Sequence, residues 1–200
     1  MPGVGSRVMN LPNKLTLARL GLTVLFVIAV YSGASIAFTV GALLFGAASM
    51  TDYLDGWIAR KRGLVTAFGQ LMDPLADKVL MSAAFIVLLD KDHGTMPAWI
   101  VIIVLAREFL VTGLRLVASS RGAILAADWL GKQKTIWQIV TASYLLVFHA
   151  RTDPGMSWVS PIFAGRSVVI PVLLGITLFI TVWSGAAYVW RNRGLVLNER

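Results

Sequence analysis

Between Arg19 and Asp52 the chain has 32 consecutive residues without a charged side chain. About 20 apolar residues are enough for one helix to cross a bilayer, so this stretch has room for a hairpin of two membrane-spanning helices. The whole chain of 200 residues is 57% hydrophobic and 14% charged, whereas soluble domains carry charge on about a quarter of their residues. These features exclude a soluble enzyme core and a disordered chain, and they predict an all-α, polytopic membrane protein.

Apolar segments separated by Gly, Pro and charged residues predict six transmembrane helices in one membrane domain that covers residues 1–200. The first segment follows basic residues, as in a signal peptide, but no small-residue cleavage site follows it, so we expect it to be retained. The chain has no cysteine, which excludes disulfides, thiol nucleophiles and cysteine metal sites. The six predicted spans are approximately 15–31, 35–59, 72–89, 97–119, 134–150 and 167–190.

The basic residues predict the orientation of these helices. With a cytoplasmic N-terminus and six spans, 15 of the 18 Lys and Arg residues lie on or toward the cytoplasmic half, and only Lys91, Arg151 and Arg166 do not. This distribution satisfies the positive-inside rule. We therefore expect both termini to face the cytoplasm from a cell inner membrane, and we attribute the net charge of +8 to topology rather than to nucleic-acid binding.

Four of the ten acidic residues fall within 26 positions of an apolar region. Their spacings of three and four place each pair on one face of a helix, and two facing helices would bring all four carboxylates together. A salt-bridge network with Arg60 and Lys78 is one explanation, but ionisable residues within spans are usually functional. The four residues are Asp52, Asp55, Asp73 and Asp77.

Small residues accompany these acidic faces. Gly56 and Ala59 lie about one and two turns beyond Asp52, and Gly69 lies one turn before Asp73. A surface without large side chains lets a bulky ligand approach the helix backbone. We therefore expect a ligand beside the carboxylates.

An all-oxygen donor set without Cys or a nearby His favours Mg²⁺ or Mn²⁺. Four carboxylates suit two divalent ions that act together in phosphoryl transfer. Asp52 lies roughly 25 Å along a span that starts near Ser35, close to the cytoplasmic side of a hydrocarbon core about 30 Å thick. A membrane lipid and a soluble polar molecule can meet at this depth, so we expect an active site that faces the cytoplasm.

The segment D-x-x-D-G-x-x-A-R, followed after eight residues by G-x-x-x-D-x-x-x-D, covers positions 52–77 and resembles the signature of the CDP-alcohol phosphotransferases at every defined position. The resemblance implies a membrane enzyme that displaces CMP from a CDP-linked lipid with an alcohol, using two divalent ions. It implies metal ligation by all four aspartates and the role of general base for Asp77. The residues that it implies for binding the CDP-lipid are Asn13, Thr16, Arg19, Gly56, Ala59, Arg60, Thr66 and Gly69.

Three further motifs resemble the bacterial phosphatidylglycerophosphate synthases, a branch of that family. The similarity covers residues 10 to about 140, with Val24 at a position where relatives often carry proline. This branch implies a homodimer that uses CDP-diacylglycerol and sn-glycerol 3-phosphate. The motifs are N-x-L-T-x-x-R from position 13, R-E-F-x-x-x-G-L-R from position 107 and G-K-x-K-T from position 131.

The basic residues of these motifs support a phosphate-bearing acceptor on physical grounds. Arg107 falls near the middle of the fourth predicted span, where a lipid-facing Arg costs at least about 2.5 kcal/mol. We therefore expect it to face a polar cavity, with an ion pair to Glu108 or to one of the four clustered aspartates as the alternative. Arg115 lies on roughly the same helix face, and Lys132 and Lys134 come from the next cytoplasmic segment. Such cations suit the phosphate group of glycerol 3-phosphate.

The predicted reaction transfers the phosphatidyl group from CDP-diacylglycerol to glycerol 3-phosphate. The same chemistry with inositol phosphate, or with phosphatidylglycerol to give cardiolipin, is the closest alternative. An intramembrane prenyltransferase and a cation transporter are more distant ones, and release of CMP from a CDP-lipid distinguishes the predicted enzyme from both. His93 and His149 fall on the predicted outer side, so we expect no catalytic role for either.

Overall fold

The computed structural model describes the backbone of residues 11–62, 67–91, 94–120 and 129–194, and the side chains of 14–51, 75–76, 78–91, 94–118 and 129–194. Within these ranges the chain forms six α helices, one 3-10 helix and no strand, which confirms the all-α prediction. The α helices are α1 (Leu11–Tyr31), α2 (Ala37–Arg62), α3 (Ala67–Lys91), α4 (Ala98–Ser120), α5 (Trp129–Ala150) and α6 (Arg166–Arg191), and the 3-10 helix covers Ser157–Phe163.

The chain divides into two compact units. The first comprises residues 1–87 and 146–160, and the second comprises residues 88–145 and 161–200. The first unit therefore contains α1, α2, most of α3 and the end of α5, whereas the second contains α4, most of α5 and α6. Whether residues 1–200 act as one domain stays a prediction.

Close packing of α1 against α2 forms the core of the first unit. Gly41 of α2 lies against α1, and a Cβ at this position would come within 2.6 Å of Val30 Cγ2. The rings of Phe26 and Phe45 meet beside it, with centroids 6.0 Å apart. Between the two helices Gly33 adopts φ +70°, a left-handed conformation that glycine enters without a steric penalty. The glycines thus permit both the tight turn and the close approach of the two helices.

The end of α5 and the loop after it complete the first unit. Asp153, which is 8% exposed, accepts hydrogen bonds from the backbone N–H and the hydroxyl of Thr39, near the start of α2. The ring of His149 stacks on that of Phe38, with centroids 4.9 Å apart. The loop is thereby fixed to the N-terminal turn of α2.

Polar and apolar contacts both hold the second unit together. The hydroxyls of Thr141 on α5 and Thr177 on α6 form a buried hydrogen bond of 2.7 Å. Tyr144 meets Phe163 edge-on, with ring centroids 5.0 Å apart. Because hydrogen bonds strengthen in apolar surroundings, the threonine pair fixes the register between α5 and α6.

Among the described residues, two helices are long and apolar enough to cross a membrane, judged by length and composition: α1 over Lys14–Tyr31 and α6 over Arg166–Arg191. The apolar part of α2, Ala37–Thr51, is shorter, and α4 contains three charged residues. Even so, α4 exposes Ile102, Phe109 and Leu116, which lie seven residues apart on one stripe. The six predicted spans coincide with the six α helices, but membrane crossing by all six stays a prediction.

Candidate functional site

The acidic signature lies on the second and third helices. Asp52 and Asp55 are within α2, and Asp73 and Asp77 are within α3. Each pair therefore has the helical spacing that places its members on one face. The four side chains lie outside the described residues, so metal ligation and the role of Asp77 stay predictions.

Two of the residues predicted to bind the CDP-lipid are described, and both are buried on α1. Thr16 and Arg19 have no exposed surface, and the Thr23 hydroxyl donates to the backbone carbonyl of Arg19 at 2.8 Å. The buried arginine and two threonines give α1 a polar inner face, which is unusual for an otherwise apolar helix. The other predicted contacts lie outside the residues whose side chains are described; they are Asn13, Gly56, Ala59, Arg60, Thr66 and Gly69.

The second unit contains a buried ionic cluster on α4 and α5. Glu108 is 8% exposed and Lys134 is 5% exposed. One oxygen of Glu108, Oε1, accepts a hydrogen bond from Arg107 Nη1 at 3.3 Å and another from Lys134 Nζ. The ion pair between Arg107 and Glu108, which the sequence offered as the alternative to a polar cavity, is therefore present, and Lys134 shares it.

Residues of α6 complete the surroundings of Arg107. Its Nη2 donates to the Ser184 hydroxyl at 3.2 Å, while its Nε is buried and has no hydrogen-bond partner among the described residues. A Cβ on Gly185 would approach Arg107 Cγ to 2.9 Å, and one on Gly131 would lie 4.0 Å from Nη2. The guanidinium group thus lies beside two glycines and keeps a buried donor that a ligand oxygen can use.

Arg115 lies two turns after Arg107 on α4, and it also contacts α6. Its Nε donates to the Tyr188 hydroxyl at 3.2 Å, and its guanidinium carbon lies 5.4 Å from the centre of the Tyr188 ring. Lys132 is exposed on the first turns of α5 and is not part of this contact network. Four phosphate ligands were predicted. Residues of α6 orient Arg107 and Arg115, and Glu108 binds Lys134 as well as Arg107. Lys132 makes none of these contacts.

Three contributors to this cluster were not predicted as site residues: Glu108, Ser184 and Tyr188. Glu108 belongs to the motif that starts at position 107, and its position next to Arg107 was a usable signal. Ser184 and Tyr188 lie one turn apart on the buried face of α6, in a region that the motifs do not reach. The available indication was that polar residues, among them Ser184 and Tyr188, recur at helical spacing on one face of the apolar helix α6.

Further polar atoms of the second unit are buried without a partner among the described residues, and they include Gln138 Nε2 and Thr181 Oγ1. Gln138 lies one turn beyond Lys134 on α5, and Thr181 lies one turn before Ser184 on α6. Together with the Thr141 and Thr177 pair they extend the polar interior of the second unit. A low-dielectric interior strengthens the charge-assisted hydrogen bonds of Arg107 and Lys134. Together with Arg115, which is exposed, these cations are chemically suited to an oxyanion such as a phosphate monoester.

Comparison with known proteins gives one family for nearly the whole chain. The sequence profile described as CDP-alcohol phosphatidyltransferase matches residues 9–190. A Bacillus subtilis (strain 168) protein named CDP-diacylglycerol–glycerol-3-phosphate 3-phosphatidyltransferase is 43% identical over 195 residues, covering 92% of this chain and 95% of the relative.

Relatives from other bacteria carry the same name. The Rickettsia felis protein is 38% identical over 180 residues, which are 90% of this chain and 93% of the relative. The Salmonella paratyphi A protein is 34% identical over 195 residues, which are 95% of this chain and 98% of the relative. The family match over residues 9–190 therefore spans α4, α5 and nearly all of α6 as well as the acidic signature.

Proposed function

Because the chain belongs to the CDP-alcohol phosphatidyltransferase family, we propose that it transfers the phosphatidyl group of CDP-diacylglycerol to the primary hydroxyl of sn-glycerol 3-phosphate. The products are phosphatidylglycerophosphate and CMP. The observation that carries this proposal is the 43% identity to a relative named for that reaction, over 95% of its length. The buried cations of the second unit agree with an acceptor that bears a phosphate group.

The four aspartates of α2 and α3 are the proposed metal ligands. Carboxylate oxygens without sulfur donors form the ligand set that Mg²⁺ and Mn²⁺ prefer, so the residues present fit two such ions. When bound, the ions supply positive charge that stabilises the diphosphate and the departing CMP. The ligands are Asp52, Asp55, Asp73 and Asp77.

Asp77 is also the proposed general base. Its carboxylate accepts the proton of the acceptor hydroxyl while that oxygen attacks the lipid-side phosphorus of CDP-diacylglycerol. The new P–O bond joins the phosphatidyl group to glycerol 3-phosphate, and the bond to CMP breaks. The remaining work of the site is positioning and charge stabilisation.

The CDP-lipid is proposed to bind along α1 and α2. Fully buried Arg19 and Thr16 support this, because a buried cation with adjacent hydroxyl groups suits a diphosphate. The proposed contacts are Asn13, Thr16, Arg19, Gly56, Ala59, Arg60, Thr66 and Gly69.

The acceptor phosphate is proposed to bind the cations of α4 and α5. Arg107 has a buried, unused Nε donor among the described contacts, and Ser184 and Tyr188 of α6 fix the two arginines. Charge-assisted hydrogen bonds from such groups are the strong ones. The proposed ligands are Arg107, Arg115, Lys132 and Lys134.

The enzyme is proposed to be a homodimer in the inner membrane, with six spans and with its active site and both termini on the cytoplasmic side. The charge asymmetry of the sequence supports the orientation, and the exposed apolar stripes of α1, α4 and α6 support contact with lipid. The dimer is carried over from the family resemblance.

An acceptor panel tests the reaction. Purified protein is incubated with radiolabelled CDP-diacylglycerol, Mg²⁺ or Mn²⁺, and in turn glycerol 3-phosphate, glycerol, inositol phosphate or phosphatidylglycerol, and CMP and lipid products are measured. We expect phosphatidylglycerophosphate and CMP from glycerol 3-phosphate, and very little product from glycerol because it lacks the phosphate group that the cations of α4 and α5 are proposed to bind. Preference for another acceptor would overturn the proposed substrate but not the family, whereas failure to release CMP with any acceptor would overturn the enzyme class.

A further inference from the structure

One carboxylate lies between two buried cations of the second unit. Glu108 Oε1 accepts from Arg107 on its own helix and from Lys134 on α5. We propose that Glu108 is a positioning residue that holds these two cationic groups where they receive the phosphate of the acceptor. This inference rests on the proposed function, because it assigns a role within that reaction.

Stability alone does not account for this ion cluster. Moving charges out of water costs several kcal/mol per ion, and apolar residues of similar volume often pack at least as favourably as a buried ion pair. The side chains of Glu108, Arg107 and Lys134 have relative exposures of 10%, 12% and 6%. A buried arrangement of this kind therefore points to a role in orientation.

The contacts of Arg107 leave it little freedom. Glu108 holds Nη1, Ser184 holds Nη2 at 3.2 Å, and Gly185 leaves space only for the stem of the side chain. The buried Nε, without a partner among the described residues, is then a donor in a fixed direction. A donor that is already oriented binds an oxyanion without the entropy cost of ordering a long side chain.

Lys134 depends on the same oxygen. Two like charges repel, and without an anion between them an ammonium and a guanidinium group move apart. By binding both at Oε1, Glu108 keeps the cations close together. Both cations can then donate hydrogen bonds to the same phosphate, and such charge-assisted hydrogen bonds are the strong ones.

The test compares three purified full-length variants in the acceptor assay. Glu108→Gln keeps the size of the side chain and removes its charge, whereas Glu108→Asp keeps the charge and shortens the side chain by one methylene. Asp90→Asn is the matched carboxylate-to-amide control, since Asp90 lies at the end of α3 with its side chain 55% exposed. KM for each substrate, kcat and melting temperature are measured for all three.

We expect Glu108→Gln to raise KM for glycerol 3-phosphate at least tenfold and Glu108→Asp to raise it about threefold. KM for CDP-diacylglycerol is expected to change by less than twofold in both, and Asp90→Asn is expected to match the parent protein. If Glu108→Gln is not recovered as folded protein, Glu108→Asp decides: KM for glycerol 3-phosphate should rise about threefold, while KM for CDP-diacylglycerol changes by less than twofold.

A lower melting temperature with both KM values unchanged would assign Glu108 a merely structural role and overturn the proposal. Equal increases in both KM values would also overturn it, because the effect would not be specific to the acceptor. Failure of the proposed function is distinguishable: the parent protein itself would then not use glycerol 3-phosphate. In that case the same variants are compared with the acceptor that the parent protein does use.

Discussion

The carboxylate of Asp153 accepts two hydrogen bonds from Thr39, one from its backbone N–H at 2.7 Å and one from its hydroxyl at 2.8 Å. Thr39 is in the first turn of α2, where backbone N–H groups have no acceptor within the helix. A loop residue 114 positions later therefore performs the function of an N-terminal cap.

Replacing Asp153 with Ala is expected to lower the free energy of unfolding by about 1–2 kcal/mol, the usual cost of losing a cap. A thermal melt of the purified protein in detergent measures the change. The control is Asp90→Ala, which removes an exposed carboxylate from α3 and should leave the melting temperature unaltered. Equal melting of both variants would contradict a capping role for Asp153.

Gly185→Ala is expected to raise KM for glycerol 3-phosphate several-fold, because the new methyl group would lie 2.9 Å from Arg107 Cγ and displace that side chain. Gly175→Ala on the same helix is the matched control, since a Cβ there meets nothing within 4 Å. Steady-state kinetics of both variants provide the measurement. If the two variants behave alike, Gly185 does not act by making room for Arg107.

Arg107→Ala is expected to raise KM for glycerol 3-phosphate tenfold or more, from the roughly 1.5–3 kcal/mol that hydrogen bonds to charged groups contribute. KM for CDP-diacylglycerol should change little. Arg107→Lys should restore binding only in part, since a point charge does not reproduce the planar fork of a guanidinium group. Full rescue by Lys would show that charge alone is sufficient at this position.

Asp77→Asn is expected to abolish turnover, because an amide cannot accept the proton of the acceptor hydroxyl. Binding of CDP-diacylglycerol should persist where the other three carboxylates still hold metal, whereas Asp52→Asn or Asp73→Asn should weaken metal binding as well. Radiolabel turnover and equilibrium binding separate these effects. Residual activity above about a tenth, a loss below about 1.4 kcal/mol, would rule out the general-base role.

Single cysteines introduced at Lys61 and Lys132 are expected to react with an impermeant reagent only from the cytoplasmic side, and one at Asp92 only from the outside. The asymmetry of basic residues is the physical basis of this expectation. The parent chain contains no cysteine, so it is its own unlabelled control. Labelling of position 61 from the outside would reverse the proposed topology.

Apolar patterning located all six α helices but not their ends. The span predicted at 134–150 lies in a helix described over Trp129–Ala150, and the one predicted at 72–89 lies in a helix described over Ala67–Lys91. Hydropathy reports which residues suit the hydrocarbon core, whereas a helix can extend beyond that core into polar sequence. The segment between the fifth and sixth predicted spans contains the 3-10 helix Ser157–Phe163, which hydropathy does not report.

The ionic cluster was predictable only in part. The cost of a lipid-facing arginine indicated that Arg107 needs a polar partner, and adjacent Glu108 was one of the expected partners. Participation of Lys134, 26 residues from Glu108, and of Ser184, 77 residues from Arg107, depends on how α4, α5 and α6 pack. No local spacing encodes such contacts, so a single sequence did not reveal them.

The composition of the first unit, residues 1–87 and 146–160, has a consequence for the order of events during synthesis. Once residues 11–62 have left the ribosome, α1 and α2 can pair through Gly41 and Val30, which are close in sequence. The backbone N–H of Thr39, in the first turn of α2, has no carboxylate acceptor until Asp153 has been translated. The pair of α1 and α2 therefore passes through a period of lower stability, which ends only after residue 153 has been made.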